Sequence, residues 1–212
     1  MTWARPQALL LDAMGTLITL RQSVGTTYSS LAASHGIKVG ASAIDQVFPE
    51  VLHRAPPLAF NSLRGQELRH AELGWWAERI DACLEAAGGN PAPNALHHQL
   101  FEHFANPAVW KVYEDVPYHL QAWRKLGLRL AVVSNFDSRL YSILTALRLS
   151  QWLSVVVVSS SAGAAKPAPR PFQLALEELN LCPAQAWHVG DSAEDAEGAG
   201  AAGVRFLMVK RL

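Results

Sequence analysis

Short apolar runs punctuate the chain at residues 8–11, 128–133, 155–158, 186–189 and 206–209. Most are nearly continuous rather than alternating, which is the pattern of strands covered on both faces of a parallel sheet. Beside the later runs, apolar residues fall at helical spacing over 117–125, 171–179 and 193–202. Pro117 and Pro171 stand near the starts of the first two, and Gly127 and Gly203 just past the ends of the first and third, as helix punctuation requires. The second half of the chain therefore reads β-α-β-α-β-α-β and predicts a layered α/β sheet.

Residues 20–110 follow a different rhythm, with no convincing strand. Val24, Tyr28, Leu31, Ala32 and His35 share one helical face that Gly36 closes. Ser42 and Asp45 offer a capping box for a second face of Ile44, Val47, Phe48, Val51 and Leu52. Leu68, Trp76, Ile80, Cys83 and Leu84 continue the style to Gly88-Gly89. A proline-punctuated loop over 90–94 then precedes a last helix through Leu96, Leu100 and Phe104. The expected architecture is a Rossmann-like parallel sheet with helices on both faces, built from 1–17 and 113–212, with an all-helical insert at 18–112.

Composition narrows the function. Of 212 residues, 50% are hydrophobic and 17% charged, ample for a normal core. Lys plus Arg equals Asp plus Glu at 18 each, so there is no basic field to draw nucleic acid or anionic lipid from a distance. The two cysteines, Cys83 and Cys182, lie far apart and make no disulfide framework. No apolar run approaches membrane-spanning length, and the run before Asp12 is too short for a signal peptide. The expectation is a cytoplasmic protein with a small-molecule partner, binding neither nucleic acid nor membrane.

In an open α/β sheet, ligands bind beyond the carboxyl ends of the strands, and the residues there are chemically coherent. The first run ends in Asp12, the second in Ser134-Asn135, and the fourth in Gly190-Asp191-Ser192 with Asp195 following; Lys166 comes after the Val155–Val158 run. Taken singly, each is an ordinary turn residue. Taken in order, three short oxygen ligands, an amine and two small hydrogen-bonding groups meet at one sheet edge, the makeup of a site for Mg²⁺ and phosphate.

DAMGT (12–16), VVSN (132–135), KPAPRPF (166–172) and GDSAEDAEGAGAAG (190–203) together resemble the four motifs of the haloacid dehalogenase superfamily, over the whole chain and with the insert placed as a helical cap domain. VVSNFDSRL and Trp75-Trp76 are most similar to the branch of haloacid dehalogenase-like hydrolase domain-containing proteins. The resemblance implies that Asp12 is the nucleophile of an aspartyl intermediate. It further implies that Gly15, Thr16, Ser134 and Asn135 hold the transferred group and that Lys166 offsets charge between Asp12 and phosphate. Mg²⁺ would be bound by Asp12, the backbone carbonyl of Met14 and Asp191, with Asp195 as a further ligand or its support. The implied substrate is a small phosphorylated metabolite.

Met14 departs from that pattern. Phosphatases of the superfamily usually carry an aspartate there, which protonates the leaving alkoxide and later activates water; a thioether does neither. Leaving groups that need no proton, such as acyl or aryl phosphates, escape the defect. Two alternatives follow. DAMGT also resembles the D-x-Y-G-T motif of 2-haloacid dehalogenases, although no residue here matches their halide-binding arginine, Arg21 included. A non-catalytic binder of phosphate or Mg²⁺ is the third reading, favoured by Ala168 where the family often has aspartate.

Other signals are set aside. GAGAAG at 198–203 spells a dinucleotide fingerprint but does not directly follow a strand, and reads instead as close helix packing. His97, His98 and His103 lack a completing Cys or acid and point to different helix faces. His188 reads as a core or near-site histidine, and Trp75, Trp76 and Trp110 as packing.

Overall fold

The computed structural model describes residues 5–211. In chain order the strands are β1 (Ala8–Leu11), β2 (Ile18–Leu20), β3 (Trp110–Val112), β4 (Arg129–Ser134), β5 (Val155–Val158), β6 (Ala186–Gly190) and β7 (Arg205–Met208). The helices are α1 (Val24–Ser34), α2 (Ala41–His53), α3 (Gly65–Ala86), α4 (Asn94–Ala105), α5 (Val116–Lys125), α6 (Arg139–Ala146), the single turn α7 (Ser159–Ala162), α8 (Arg170–Leu179) and α9 (Ala193–Ala201). Two compact units result. The first holds the described residues up to Thr19, the strap Leu58–Leu63 and the chain from Lys111 onward; the second holds Leu20–Pro57 and Arg64–Trp110.

The first unit is a five-stranded parallel sheet in the order β5-β4-β1-β6-β7. Continuous apolar runs form it because helices cover both faces; every residue of β1 is buried, as the unbroken pattern implies. Leu10, Ala131, Val133, Val155, Val157 and Phe172 belong to one core that α8 and α9 complete. The chain builds outward from β1 through β4 to β5, then returns to the other side of β1 with β6 and β7. The order therefore reverses between β1 and β6. Register fixes what meets there: Leu11 lies opposite both Val132 and Val189, so Asp12, Ser134 and Asp191 emerge at nearly one height.

Helix α6 has no counterpart among the elements that the apolar pattern predicts. Leu140, Ile143 and Leu144 are its buried stripe, too short at 8 residues to stand out from the flanking sequence. The strap Leu58–Leu63 interrupts the stretch read as a continuous insert, and the Phe60 amide donates to the Ser160 carbonyl within the first unit (3.0 Å).

The second unit is helical, around Tyr28, Ile44, Ile80, Leu84, Leu96 and Leu100. The capping box is corrected: α2 begins at Ala41 after Gly40, with no side-chain cap. The Asp45 carboxylate instead accepts from the Gly25 amide at the start of α1 (2.7 Å), a tertiary cap that sequence spacing alone does not reveal. Cys83 is buried in α3, and burial pushes its thiol up to about 11; Cys182 is exposed. Among the described residues no helix is long and apolar enough to cross a membrane.

Candidate active site

Asp12 leaves β1 at the point of strand-order reversal and is 6% exposed. Its Oδ1 accepts from Ser134 Oγ (3.0 Å) at the end of β4 and from Lys166 Nζ (2.6 Å). Both donors converge on one oxygen and leave Oδ2 clear. Lys166 Nζ also donates to Asp195 Oδ1 (2.6 Å) and to the Val133 carbonyl (3.1 Å), so its three protons are all directed. Burial by itself would lower the Lys166 ammonium. The charges and hydrogen bonds of Asp12 and Asp195 outweigh that and leave it raised.

Asn135 holds this lysine in place. Its amide donates to the Lys166 carbonyl (2.9 Å) and accepts from the Lys166 backbone N–H (2.7 Å), so its side chain is committed to the lysine loop. The motif implied a role in holding a transferred group, and the side chain shows in addition this grip on the lysine loop.

Asp195 caps α9 in a reciprocal box with Ser192. Asp195 Oδ2 accepts from the Ser192 amide (3.2 Å) and hydroxyl (2.7 Å), while the Asp195 amide donates to Ser192 Oγ (3.1 Å). Asp195 Oδ1 receives Lys166 and also His188 Nε2 (2.8 Å), so both oxygens are fully engaged by donors, which fits a support better than a direct metal ligand. Burial would raise this carboxyl, but the His188 hydrogen bond and the Lys166 charge prevail and hold it below the ordinary carboxylate range. His188 is wholly buried, and its Nδ1 faces the Leu10 carbonyl (2.9 Å). Sequence reasoning placed His188 near the site without this part; the signal was its alternation with Gly190 in β6, facing the α9 cap.

Asp191 is the exposed member, reached by the Thr16 hydroxyl at a long 3.4 Å from its Oδ1. Gly15 makes the approach feasible. With φ at +80°, a Cβ there would lie 2.1 Å from Asp191 Oδ2, so no other residue fits the turn. Burial first, then the charges of Asp12 and Asp195, push the Asp191 carboxyl up. Asp12, Asp191 and Asp195 each offer an oxygen within 4.8 Å of the others, a hard all-oxygen donor set that suits Mg²⁺. The Lys166 ammonium offsets only part of the charge of the three carboxylates, and a divalent ion would offset the rest.

A carboxyl raised on folding contributes stability while protonated and loses it as pH rises through its folded value. Ionising Asp191 beside Asp12 and Asp195 therefore costs the folded protein stability, a cost that a bound cation would offset. The Mg²⁺-induced rise in thermal midpoint is expected to be larger at about pH 8 than at about pH 5, checked by differential scanning fluorimetry.

The signals set aside resolve as packing. Gly198 lies in α9 where a Cβ would meet Phe172 at 2.7 Å, so the GAGAAG stretch serves close helix contact. His97 pairs with Asp81 (2.8 Å). Trp75 donates to the Pro56 carbonyl and Trp110 to that of Phe104, each at 3.0 Å.

A carboxylate cluster with a buried lysine thus lies at the carboxyl edge of a parallel sheet. The family model for haloacid dehalogenase-like hydrolase matches residues 6–203. Haloacid dehalogenase-like hydrolase domain-containing protein 3 of Mus musculus is 38% identical over 205 residues, 93% of this chain and 79% of that protein. Phosphoserine phosphatase of Thermus thermophilus is 33% identical over 153 residues, 71% of this chain and 61% of that protein. Among solved structures, CbbY from Rhodobacter sphaeroides in complex with phosphate superposes with a TM-score of 0.70 at 21% identity, covering 98% of this chain and 87% of that chain. The chain belongs to the haloacid dehalogenase-like hydrolase family.

Proposed function

We propose that the chain is a Mg²⁺-dependent phosphatase acting on a small phosphorylated metabolite through an aspartyl phosphate on Asp12. The observation that carries this reading is the pairing of Asp12 with Lys166 and Ser134 on one oxygen, beside the oxygen donors of Asp191. Sequence likeness to a phosphatase adds support.

Asp12 Oδ2 attacks phosphorus as the bond from phosphorus to the leaving oxygen breaks, and the leaving group departs with the bonding pair. Ser134 and Lys166 hold the other carboxylate oxygen and fix the line of attack. The Lys166 ammonium offsets the charge gathering between carboxylate and phosphoryl oxygens. Water then attacks the aspartyl phosphate, releasing inorganic phosphate and restoring Asp12. Mg²⁺ would be held by Asp12, Asp191 and the Met14 backbone carbonyl, with Asp195 as support, and supplies charge stabilisation for the phosphoryl oxygens. No side chain at position 14 protonates the leaving group, so acyl and aryl phosphates are the favoured substrates.

The test is hydrolysis of p-nitrophenyl phosphate and acetyl phosphate with Mg²⁺ and after removal of metal by EDTA. Loss of turnover on chelation, restored by Mg²⁺, is expected. Metal-independent chloride release from 2-chloropropionate would establish a dehalogenase instead, and saturable Mg²⁺ or phosphate binding without product in either assay would establish a binder.

A further inference from the structure

The chain crosses the sheet edge once more after β7. The Val209 amide donates to the Gly190 carbonyl (2.8 Å), next to Asp191, and Arg211 then reaches the turn that carries Asp12. The Arg211 guanidinium donates from Nε (3.2 Å) and Nη2 (2.5 Å) to the Thr16 carbonyl. Its Nη1 meets both oxygens of Asp115, at 2.7 and 2.8 Å, and its Cζ lies over the Tyr113 ring, 4.3 Å from the centroid. The Arg211 hydrogen bond holds the Asp115 carboxyl below its ordinary range.

Asp191 is thus bracketed. Gly190, which precedes it, is tied to Val209; Thr16, whose hydroxyl reaches it, is tied to Arg211. Thr16 also follows Gly15, whose missing side chain makes room for the Asp191 carboxylate. A planar fork is needed to serve a carbonyl on one edge and a carboxylate on another, which a lysine does not provide. None of the motifs includes residues 113–115 or 209–211.

We infer that Arg211, anchored by Asp115 and Tyr113, is a positioning residue that fixes the Gly15-Thr16 turn against Asp191 and so sets the affinity of the carboxylate cluster for a divalent cation. This rests on the Mg²⁺ reading above. Outer partners of metal ligands typically change affinity by about 10- to 100-fold.

The test is titration of the full chain with Mn²⁺, which suits the same oxygen donors, following the free ion by electron paramagnetic resonance. Arg211→Lys and Arg211→Gln are expected to weaken Mn²⁺ binding about tenfold, and Asp115→Asn by less, since the Thr16 contact survives there. Arg211→Lys is expected to keep its thermal midpoint in EDTA close to that of the unaltered protein, which keeps the test valid if Arg211→Gln folds poorly. Unaltered Mn²⁺ affinity in Arg211→Lys overturns the positioning role, and so does a loss matched by a drop in the EDTA midpoint, which marks a merely structural arginine. Failure of the unaltered protein to bind Mn²⁺ overturns the metal reading itself and this inference with it.

Discussion

Asp12→Asn is expected to lower p-nitrophenyl phosphate hydrolysis by on the order of 10⁴-fold or more while leaving the fold in place. The amide keeps the shape of the carboxylate and an oxygen that accepts from Ser134, but it has no anionic oxygen to form the covalent intermediate. Lys166 retains Asp195 (2.6 Å) and the Val133 carbonyl (3.1 Å), so it is not left buried and unpaired. In transition-state terms a loss of that size is about 5 kcal/mol or more, well beyond what a displaced hydrogen bond explains. Steady-state rates for both proteins with Mg²⁺, beside circular dichroism and thermal midpoints, make the comparison. Equal rates would place the chemistry elsewhere and remove the enzyme reading at Asp12.

Much of the arrangement around Asp12 was legible because a parallel sheet converts sequence order into spatial proximity. Each continuous apolar run fixes a strand, and equal register brings the residue after it to a common edge. Asp12, Ser134 and Asp191 could therefore be brought together without knowing any side-chain angle. Lys166 arrives from a loop rather than a strand, and only its motif signalled it. The pattern was silent on how donors are shared. Asn135 was expected to hold the transferred group, and its side chain meets the Lys166 backbone; Asp195 was expected as a further metal ligand or its support, and its oxygens accept from Lys166, His188 and Ser192. The contacts to Lys166 among these are distances below 3 Å between residues 29 or 31 positions apart, which periodicity does not encode. Arg211 was illegible for a related reason, since it acts on the site through a backbone carbonyl, and a carbonyl has no residue type to read.

The pairing of His188 with Asp195 also bears on the electrostatics that any substitution must respect. Both His188 and Lys166 meet Asp195, the Lys166 ammonium offsets part of the charge of the three carboxylates, and a bound divalent ion would offset the rest beside a phosphoryl group. A carboxylate added at the rim changes this balance by one unit and will itself be harder to ionise, because Asp12 and Asp191 already occupy the site.

That is the condition a general acid requires, and it makes Met14→Asp the most informative gain of function. Met14 is 40% exposed, so replacing its side chain leaves no core cavity. Its backbone stays in the isolated bridge to Ile18, and its carbonyl remains available whatever side chain it carries. The new carboxyl, kept protonated by its neighbours, donates to the leaving oxygen and then, ionised, takes a proton from the attacking water. General acid–base assistance is worth about 10²- to 10⁴-fold, or roughly 3–5 kcal/mol on the affected step. The gain is expected in kcat for alkyl phosphates, whose alkoxide leaves poorly without a proton. It should be small in the leaving step for p-nitrophenyl phosphate, whose phenolate leaves unaided. Paired assays on the two substrate classes separate these cases. A folded, Mg²⁺-binding Met14→Asp protein with no selective gain on alkyl phosphates would mean that protonation of the leaving group does not limit this site, and that the methionine is not the reason for its substrate range.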